Sequence, residues 1–215
     1  MRTWHREAAF RGLSITSGEM EEGLPFRVAK PLWSDGVSGM WRAVRRGTAS
    51  GGFALEAERP CIGSQSQRIT FQAGDGAIGV ENTGLTRRGM DFVAGEPYEG
   101  YLWLRADEPM KVYVAAECGD GTRTYAEAAL SVEGTGWKRY DFALTPEQAV
   151  EAGRLAVTLK GPGSVVLGHA FLQPGPWGRF EGLPVRKDVA EGLIRQGVTV
   201  MRLGGLMINA DGYRW

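Results

Sequence analysis

The sequence predicts a mainly β fold, a β-sandwich followed by a short α/β segment. Thirty-two glycines among 215 residues, with 43% hydrophobic residues, indicate many turns between short strands. Alternating apolar and polar residues mark the strands, most clearly in EPYEGYLWLRAD and KVYVAAE. Residues 193–215 lack this alternation. There the end of an amphipathic helix is followed by a near-continuous apolar run, which is typical of a buried strand.

The overall charge excludes two classes of partner. The chain has 25 basic and 25 acidic residues, so nothing favours a nucleic acid or an anionic membrane. No apolar stretch approaches the ~20 residues of a membrane span, and MRTWHREAAFRGL lacks the apolar core of a signal peptide. These features favour a cytoplasmic protein.

The few cysteines and histidines indicate neither a metal site nor a cofactor. Cys61 and Cys118 have no ligand spacing and are interpreted as reduced thiols. With only His5 and His169, a zinc site or a Ser-His-Asp triad is not expected, and His169 is interpreted as a structural histidine in an apolar strand.

Several further strands are predicted from the same alternation. Two of them flank the loop RRGTASGG, and SQSQRITFQAG places Ile69 and Phe71 on one face. AIGVENTGL, GTRTYAEAALSV, GWKRYDFALT, GRLAVTLKG and GSVVLGHAFLQP complete the predicted set. Between two of these strands, TPEQAVE is predicted to form one helical turn, since Thr145 suits the N-cap and Pro146 the first helical position.

Three aromatic residues are the candidate binding face of the sandwich. Alternation places Leu102 and Leu104 in the core, so Tyr101 and Trp103 lie on the opposite face of their strand. Tyr113 joins them if the next strand pairs with this one. Aromatic rings flanked by polar groups suit the stacking of sugar rings. The same residues also suit docking against a neighbouring domain or a covering loop, and the residue pattern leaves both interpretations open.

The C-terminal segment is predicted to be half of a βαβ unit. PGPWGRFEGLP forms a linker rich in proline and glycine. The helix that follows carries an apolar stripe of Val185, Val189, Leu193 and Ile194 and ends at Gly197, where a left-handed conformation costs glycine least. The apolar run Val198–Leu203 is the predicted strand, which requires further structure to cover it.

Residues 182–215 resemble a known enzyme family. GLPVRKDVAEGLIRQGVTVMRLGG, followed by MINADGYRW, is similar to an early segment of the catalytic barrel in α-L-arabinofuranosidases of glycoside hydrolase family 51. A looser resemblance over about residues 70–173 extends to the β-sandwich of that family, which is like the family 4 and 9 carbohydrate-binding modules.

This resemblance implies a jelly-roll (galactose-binding-like) β-sandwich followed by the start of a (β/α)8 barrel. Residues 1–32 are then a weakly ordered lead-in, residues 33–173 the carbohydrate-binding-module-like sandwich, and residues 174–215 the linker, helix and strand of a truncated barrel. A complete barrel needs ~250 residues, so the chain is expected to be a fragment.

The implied function is that of a fragment of an arabinofuranosidase-like glycoside hydrolase acting on arabinose-containing polysaccharide. In the family the two catalytic glutamates lie on later barrel strands, expected beyond Trp215, so no catalytic residue is assigned and the chain alone is expected to be inactive. The remainder of the barrel is the implied protein partner. The alternative function is a free-standing, non-catalytic β-sandwich that binds carbohydrate or docks to another domain.

The resemblance also implies a set of substrate-binding residues at the end of the barrel strand. They are Arg202, Gly204, Gly205 and Asn209. The family's proline before Gly204 is missing, and Leu206 replaces the usual asparagine after Gly205, so the register of Arg202 stays open. The alternative interpretation is a glycine turn beside a structural ion-pair partner.

Overall fold

Two antiparallel β-sheets enclose a single hydrophobic core. The computed structural model describes residues 36–39, 41–63, 65–84 and 87–200. The strands are β1 (Arg42–Gly47), β2 (Ser50–Glu56), β3 (Ser66–Ala73), β4 (Gly76–Asn82), β5 (Met90–Phe92), β6 (Tyr98–Ala106), β7 (Met110–Glu117), β8 (Thr124–Val132), β9 (Lys138–Leu144), β10 (Val150–Leu159) and β11 (Gly163–Pro174).

The strand order is that of a jelly-roll sandwich, as predicted. The first sheet has the order β1-β4-β10-β7-β8, with β5 paired to β10. The second sheet has the order β2-β3-β11-β6-β9. Many consecutive strands lie in opposite sheets, including β1 and β2, β3 and β4, β6 and β7, and β10 and β11. Each of these connections therefore crosses from one sheet to the other.

Period-two alternation correctly identifies the core side of the strands. On β6 the inward set is fully or almost fully buried, and β7 and β10 contribute the facing aliphatic side chains of the first sheet. Burying such a side chain stabilises the fold by about 1.5–3 kcal/mol. The main members are Tyr98, Leu102, Leu104, Val112, Val114, Leu155, Val157 and Leu159.

The segment after β11 packs back onto the sandwich. A short 3-10 helix, Pro176–Gly178, places Trp177 edge-on against Tyr98 with ring centroids 5.5 Å apart. The Trp177 indole Nε1–H also donates a hydrogen bond to the Pro97 carbonyl at 2.7 Å. The predicted linker is thus anchored by an aromatic side chain.

The predicted helix is present as α1 (Lys187–Arg195) and ends as expected. Gly197 has φ +73°, and its N–H donates to the Ile194 carbonyl at 2.9 Å. The N–H of Val198 donates to the Leu193 carbonyl at 3.1 Å. These two bonds form a Schellman motif, in which a left-handed glycine closes the helix.

One local prediction is wrong, and a second is not met in the residues that the structure describes. TPEQAVE forms no helical turn, because its backbone groups bond to distant segments: the Pro146 carbonyl accepts from Gly95 and the Glu147 N–H donates to Tyr125. The described part of the predicted final strand, residues 198–200, lies in no strand, and Val200 is 83% exposed. The rest of that strand and the lead-in at residues 1–32 lie outside the described residues. Within the described ranges, no helix is long and apolar enough to cross a membrane.

Candidate functional site

The three predicted aromatic residues do not share a face. Tyr101 and Trp103 lie on β6 of the second sheet, whereas Tyr113 lies on β7 of the first. Each points outward on its own sheet, so the two groups are on opposite sides of the sandwich. A common face required β6 and β7 to pair. The connection between them crosses from one sheet to the other instead, and this corrects the predicted common face.

Both ring faces of Tyr101 are already occupied. On the β11 side, Phe171 and His169 stack on the ring, with centroids 4.9 Å and 5.6 Å away. On the β9 side, the Arg139 guanidinium lies 4.0 Å from the ring centroid. A sugar ring that stacked on Tyr101 would first have to displace one of these groups. His169 therefore has a structural role in this stack, and Trp103 stands beside it, half-buried between β11 and β9.

The outer face of the first sheet is concave. Arg46 on β1 bonds to the Glu117 carboxylate on β7 at 2.5 and 2.7 Å, although β4 and β10 lie between them. In a flat sheet, three strand spacings would separate these strands by about 14 Å. Lys160, just after β10, likewise reaches Glu127 on β8 across β7, at 2.7 Å to both oxygens. Arg46 is also displaced along its strand from the level of Glu117, so the sheet must curve around its outer face for the Arg46–Glu117 contact to form. The Lys160–Glu127 contact spans only two strand spacings and does not require this curvature.

Small side chains form the floor of this concave face. Cross-strand pairing places Gly79 beside Val44 and Thr158, and Thr158 beside Tyr113. The outward floor positions are Val44, Ala77, Gly79, Ala115, Ala156 and Thr158, all of them buried. Tyr113 rises from this floor and is half-buried.

A buried ion-pair network lines one end of the concave face. Glu117 has 1% of its side chain exposed and accepts hydrogen bonds from Arg46 and from the Arg154 Nε–H, the latter at 2.9 Å. Arg154 also pairs with the buried Glu81. Three strands are thereby connected to β1 through guanidinium–carboxylate contacts, which are short, directional and charge-assisted.

Burial dominates the electrostatics of this network. It raises the pKa of the Glu117 carboxyl, and the Arg46 guanidinium opposes that rise. Burial, together with the positive charges of Arg46 and Arg42, lowers the pKa of Arg154 to about 10. Arg154 therefore stays charged at neutral pH, and its guanidinium, bonded to the Glu117 carboxyl, offsets part of the cost of burying that group.

Lys160 covers the ring of Tyr113. Its ammonium group lies 4.2 Å from the ring centroid while it bonds to Glu127. The Lys160 and Glu127 side chains are 38% and 33% exposed, so this pair is at the surface of the concave face rather than in its floor. An ammonium group over an aromatic ring is a favourable cation–π contact.

Sequence reasoning missed most of this face. It placed Tyr113 on an outer face, but gave no role to Arg46, Glu81, Glu117, Arg154 or Lys160. The signal was present in the alternation of each strand, since Arg154 and Glu81 both occupy outward positions. The missing information was the order of the strands, which brings these positions together.

The other residues singled out in the sequence are the predicted substrate-binding set and the two cysteines. Arg202, Gly204, Gly205 and Asn209 lie outside the described residues. Cys61 and Cys118 are free and half-buried, and burial raises the pKa of the Cys61 thiol. In the part of the chain that the structure describes, no cluster of histidine, cysteine, aspartate and glutamate could hold a metal ion.

Comparisons with known proteins identify the fold. No family model and no curated protein sequence matches the chain. Among solved structures, an arabinose-bound MgGH51 α-L-arabinofuranosidase is similar with a TM-score of 0.64 and 20% identity. The match covers 77% of this chain, which spans 28% of that enzyme's length. A family 4 carbohydrate-binding module (14% identity, TM-score 0.49) covers 75% of this chain and 99% of its own. The CBM22-1 xylan-binding domain of Paenibacillus barcinonensis Xyn10C has 18% identity and a TM-score of 0.45. That match covers 65% of this chain and 88% of the domain.

Proposed function

We propose that this chain is a carbohydrate-binding β-sandwich and that its ligand lies in the concave outer face of the first sheet. The observation that carries the proposal is a curved floor of small residues, bordered by guanidinium–carboxylate pairs and containing Tyr113. Sugars present adjacent hydroxyl groups that suit planar donors and acceptors, and C–H groups that suit an aromatic ring. A flat outer face would offer no comparable enclosure.

The finer proposal is that the ligand is an arabinose-containing polysaccharide and that the chain belongs to an arabinofuranosidase-like glycoside hydrolase. Two observations support it. The fold is similar to that of the arabinose-bound enzyme, and the helix expected from the resemblance over residues 182–215 is present as α1. The apolar side chains of α1 are also exposed, including Val189 at 43% and Ile194 at 60%. The remainder of a catalytic barrel is the proposed partner for this stripe.

A pair of matched substitutions tests the binding face. Tyr113→Ala removes the aromatic ring from the concave face, and Trp103→Ala removes one from the opposite side of the sandwich. Binding to soluble arabinoxylan is measured by affinity gel electrophoresis and titration calorimetry. We expect Tyr113→Ala to weaken binding about twofold to twelvefold, which corresponds to about 0.5–1.5 kcal/mol for an aromatic contact. Trp103→Ala should bind like the unmodified chain.

The opposite outcome is equally informative. Loss of binding in Trp103→Ala alone would move the site to the second sheet, as the sequence-based hypothesis requires. If the unmodified chain fails to bind arabinoxylan, arabinan and xylan, the proposed function is wrong. Thermal melting of each variant controls for unfolding.

The second sheet favours a second candidate function, docking to another domain. The observation behind it is the closed stack of Phe171, Tyr101 and Arg139, which presents a packed aromatic surface without an open ring face on Tyr101. If this face docks, the isolated chain should self-associate, and Trp103→Ala should reduce that association in sedimentation velocity. Glycan binding should not change in the same variant.

A further inference from the structure

We infer that the concave face selects glycans that carry carboxylates, such as uronic-acid side groups, and that Lys160 is the residue responsible. This inference rests on the proposed function, because it names the ligand class of the same face. It depends on the position of Lys160 over the Tyr113 ring and on the difference in burial between the ion pairs of the face.

The outward charges of the first sheet are balanced. Its strands, together with Lys160 just after β10, hold five basic and five acidic outward side chains. These are Arg42, Arg46, Lys111, Arg154 and Lys160 against Glu81, Asp91, Glu117, Glu127 and Glu151. A preference for an anionic ligand must therefore come from the position and the exchangeable pairing of Lys160, because the net charge of the face does not supply it.

Only some of these ion pairs can exchange partners. Glu117 is 1% exposed and Arg154 10%, so separating them would leave a charge buried without compensation. Lys160 and Glu127 are 38% and 33% exposed, and either can turn to solvent or to a ligand. The Lys160–Glu127 pair is therefore the exchangeable contact of the face.

Lys160 lies where a sugar would stack. A ring that packs on Tyr113 has to displace the Lys160 ammonium group from its position 4.2 Å from the ring centroid. A neutral sugar offers Lys160 no ionic partner in return. A uronate offers its carboxylate, which can take the place of Glu127, so stacking and ion pairing are satisfied together.

The test compares one glycan in two charge states. Glucuronoarabinoxylan and the same polymer after chemical reduction of its carboxyl groups differ only in charge. We expect the acidic form to bind about fivefold more tightly, as for one partly exposed ion pair. The preference should decrease as salt is raised from low to physiological ionic strength.

Two variants assign the preference to Lys160. Lys160→Met keeps the length of the side chain and removes its charge, and it should abolish the preference for the acidic glycan. Lys138→Met is the matched control, since Lys138 is an exposed lysine of the second sheet, and it should leave the preference unchanged. Glu127→Gln releases Lys160 from its internal partner and should strengthen binding of the acidic form.

Every other result of these binding experiments refutes the proposed function, the selection of carboxylates or the role of Lys160. Equal binding of the two polymers would leave the proposed function in place and refute the selection of carboxylates. Absence of binding to either would refute both. A preference that survives in Lys160→Met would refute the role of Lys160. Competition by polyglutamate as effective as that of the acidic glycan would show attraction of any polyanion and refute the inference.

Discussion

Tyr98 is the residue at which β5, β6 and the segment after β11 meet. Its ring contacts Phe92 and Trp177 edge-on, at 5.1 and 5.5 Å, and its hydroxyl oxygen accepts a hydrogen bond from the Val93 N–H at 2.9 Å. Because the phenol is buried, its pKa is raised above the ordinary value. One side chain thus joins three segments through both packing and a polar contact.

This raised pKa predicts the response of the fold to alkaline pH. The folded state holds the phenolic proton more tightly than the unfolded state, whose tyrosine pKa is about 10. Its contribution is therefore fully present below about pH 10 and is lost as pH rises toward the folded pKa. We expect the free energy of unfolding in urea to fall between about pH 10 and 12. Tyr98→Phe should remove most of that slope, and equal slopes in the two proteins would contradict the assignment.

Glu117 predicts a second measurable effect, on stability at neutral pH. Glu117→Gln leaves Arg46 and part of Arg154 without their carboxylate, so we expect a loss of about 3–5 kcal/mol. Glu127→Gln is the control, because its pair with Lys160 is partly exposed and worth less than about 1 kcal/mol. Urea denaturation monitored by tryptophan fluorescence measures both. Similar losses in the two variants would show that burial does not govern this network.

Single-strand alternation predicts the core residues correctly, and the charged residues of the concave face only in part. Leu102 and Leu104 are buried as their spacing requires, since a period of two is a local property. Arg46 and Glu117 are 71 positions apart, and each alone resembles an ordinary surface residue. Their contact depends on the strand order and on the curvature of the sheet, neither of which local periodicity contains.

The strands and the helix are predicted well where the hydrophobic pattern is long. The pairing of the strands is not predicted by that pattern. β6 and β7 have the expected faces, but their short connection crosses between the sheets. The helical turn expected at TPEQAVE fails for a similar reason: Thr145 and Pro146 have suitable propensities, yet contacts with Gly95 and Tyr125 determine the local backbone. Long-range hydrogen bonds override weak local preferences.

The helix α1 is expected to be the least stable element of the described chain. It has nine residues, none of them buried, and helices of this length are marginal without packing. Amides of α1 should exchange with deuterium rapidly, while those of β6, β10 and β11 are protected. Equal protection from exchange in α1 and in these strands would mean that the apolar stripe of α1 is covered in solution.

The stability of two variants, one on the α1 stripe and one in the core, independently checks that the stripe is exposed. Val189→Ser on the exposed stripe should change the free energy of unfolding by less than about 0.5 kcal/mol. Leu155→Ala in the core should cost about 2–5 kcal/mol, because Leu155 is fully buried in β10. A large loss in Val189→Ser would contradict the exposed position of the stripe.

Across the sandwich as a whole, the two outer faces have different chemistry. The first sheet presents a concave polar surface around Tyr113, and the second presents a stacked aromatic surface around Tyr101. The core separates them, because β6 and β7 face each other from opposite sheets. Substitutions on one face should therefore leave the energetics of the other unchanged, since distant sites without shared partners are additive.

Two double-mutant cycles test this separation. In the first, Tyr101→Ala is combined with Tyr113→Ala, and the losses in unfolding free energy should add to within about 0.5 kcal/mol. In the second, Tyr101→Ala is combined with Phe171→Ala, whose rings stack at 4.9 Å, and we expect a coupling of about 0.5–1.5 kcal/mol. The second cycle shows that the method detects a real contact in this protein. Coupling between Tyr101 and Tyr113 of the same size would place them on one face, because two rings on opposite sides of a packed core have no atoms through which to interact directly.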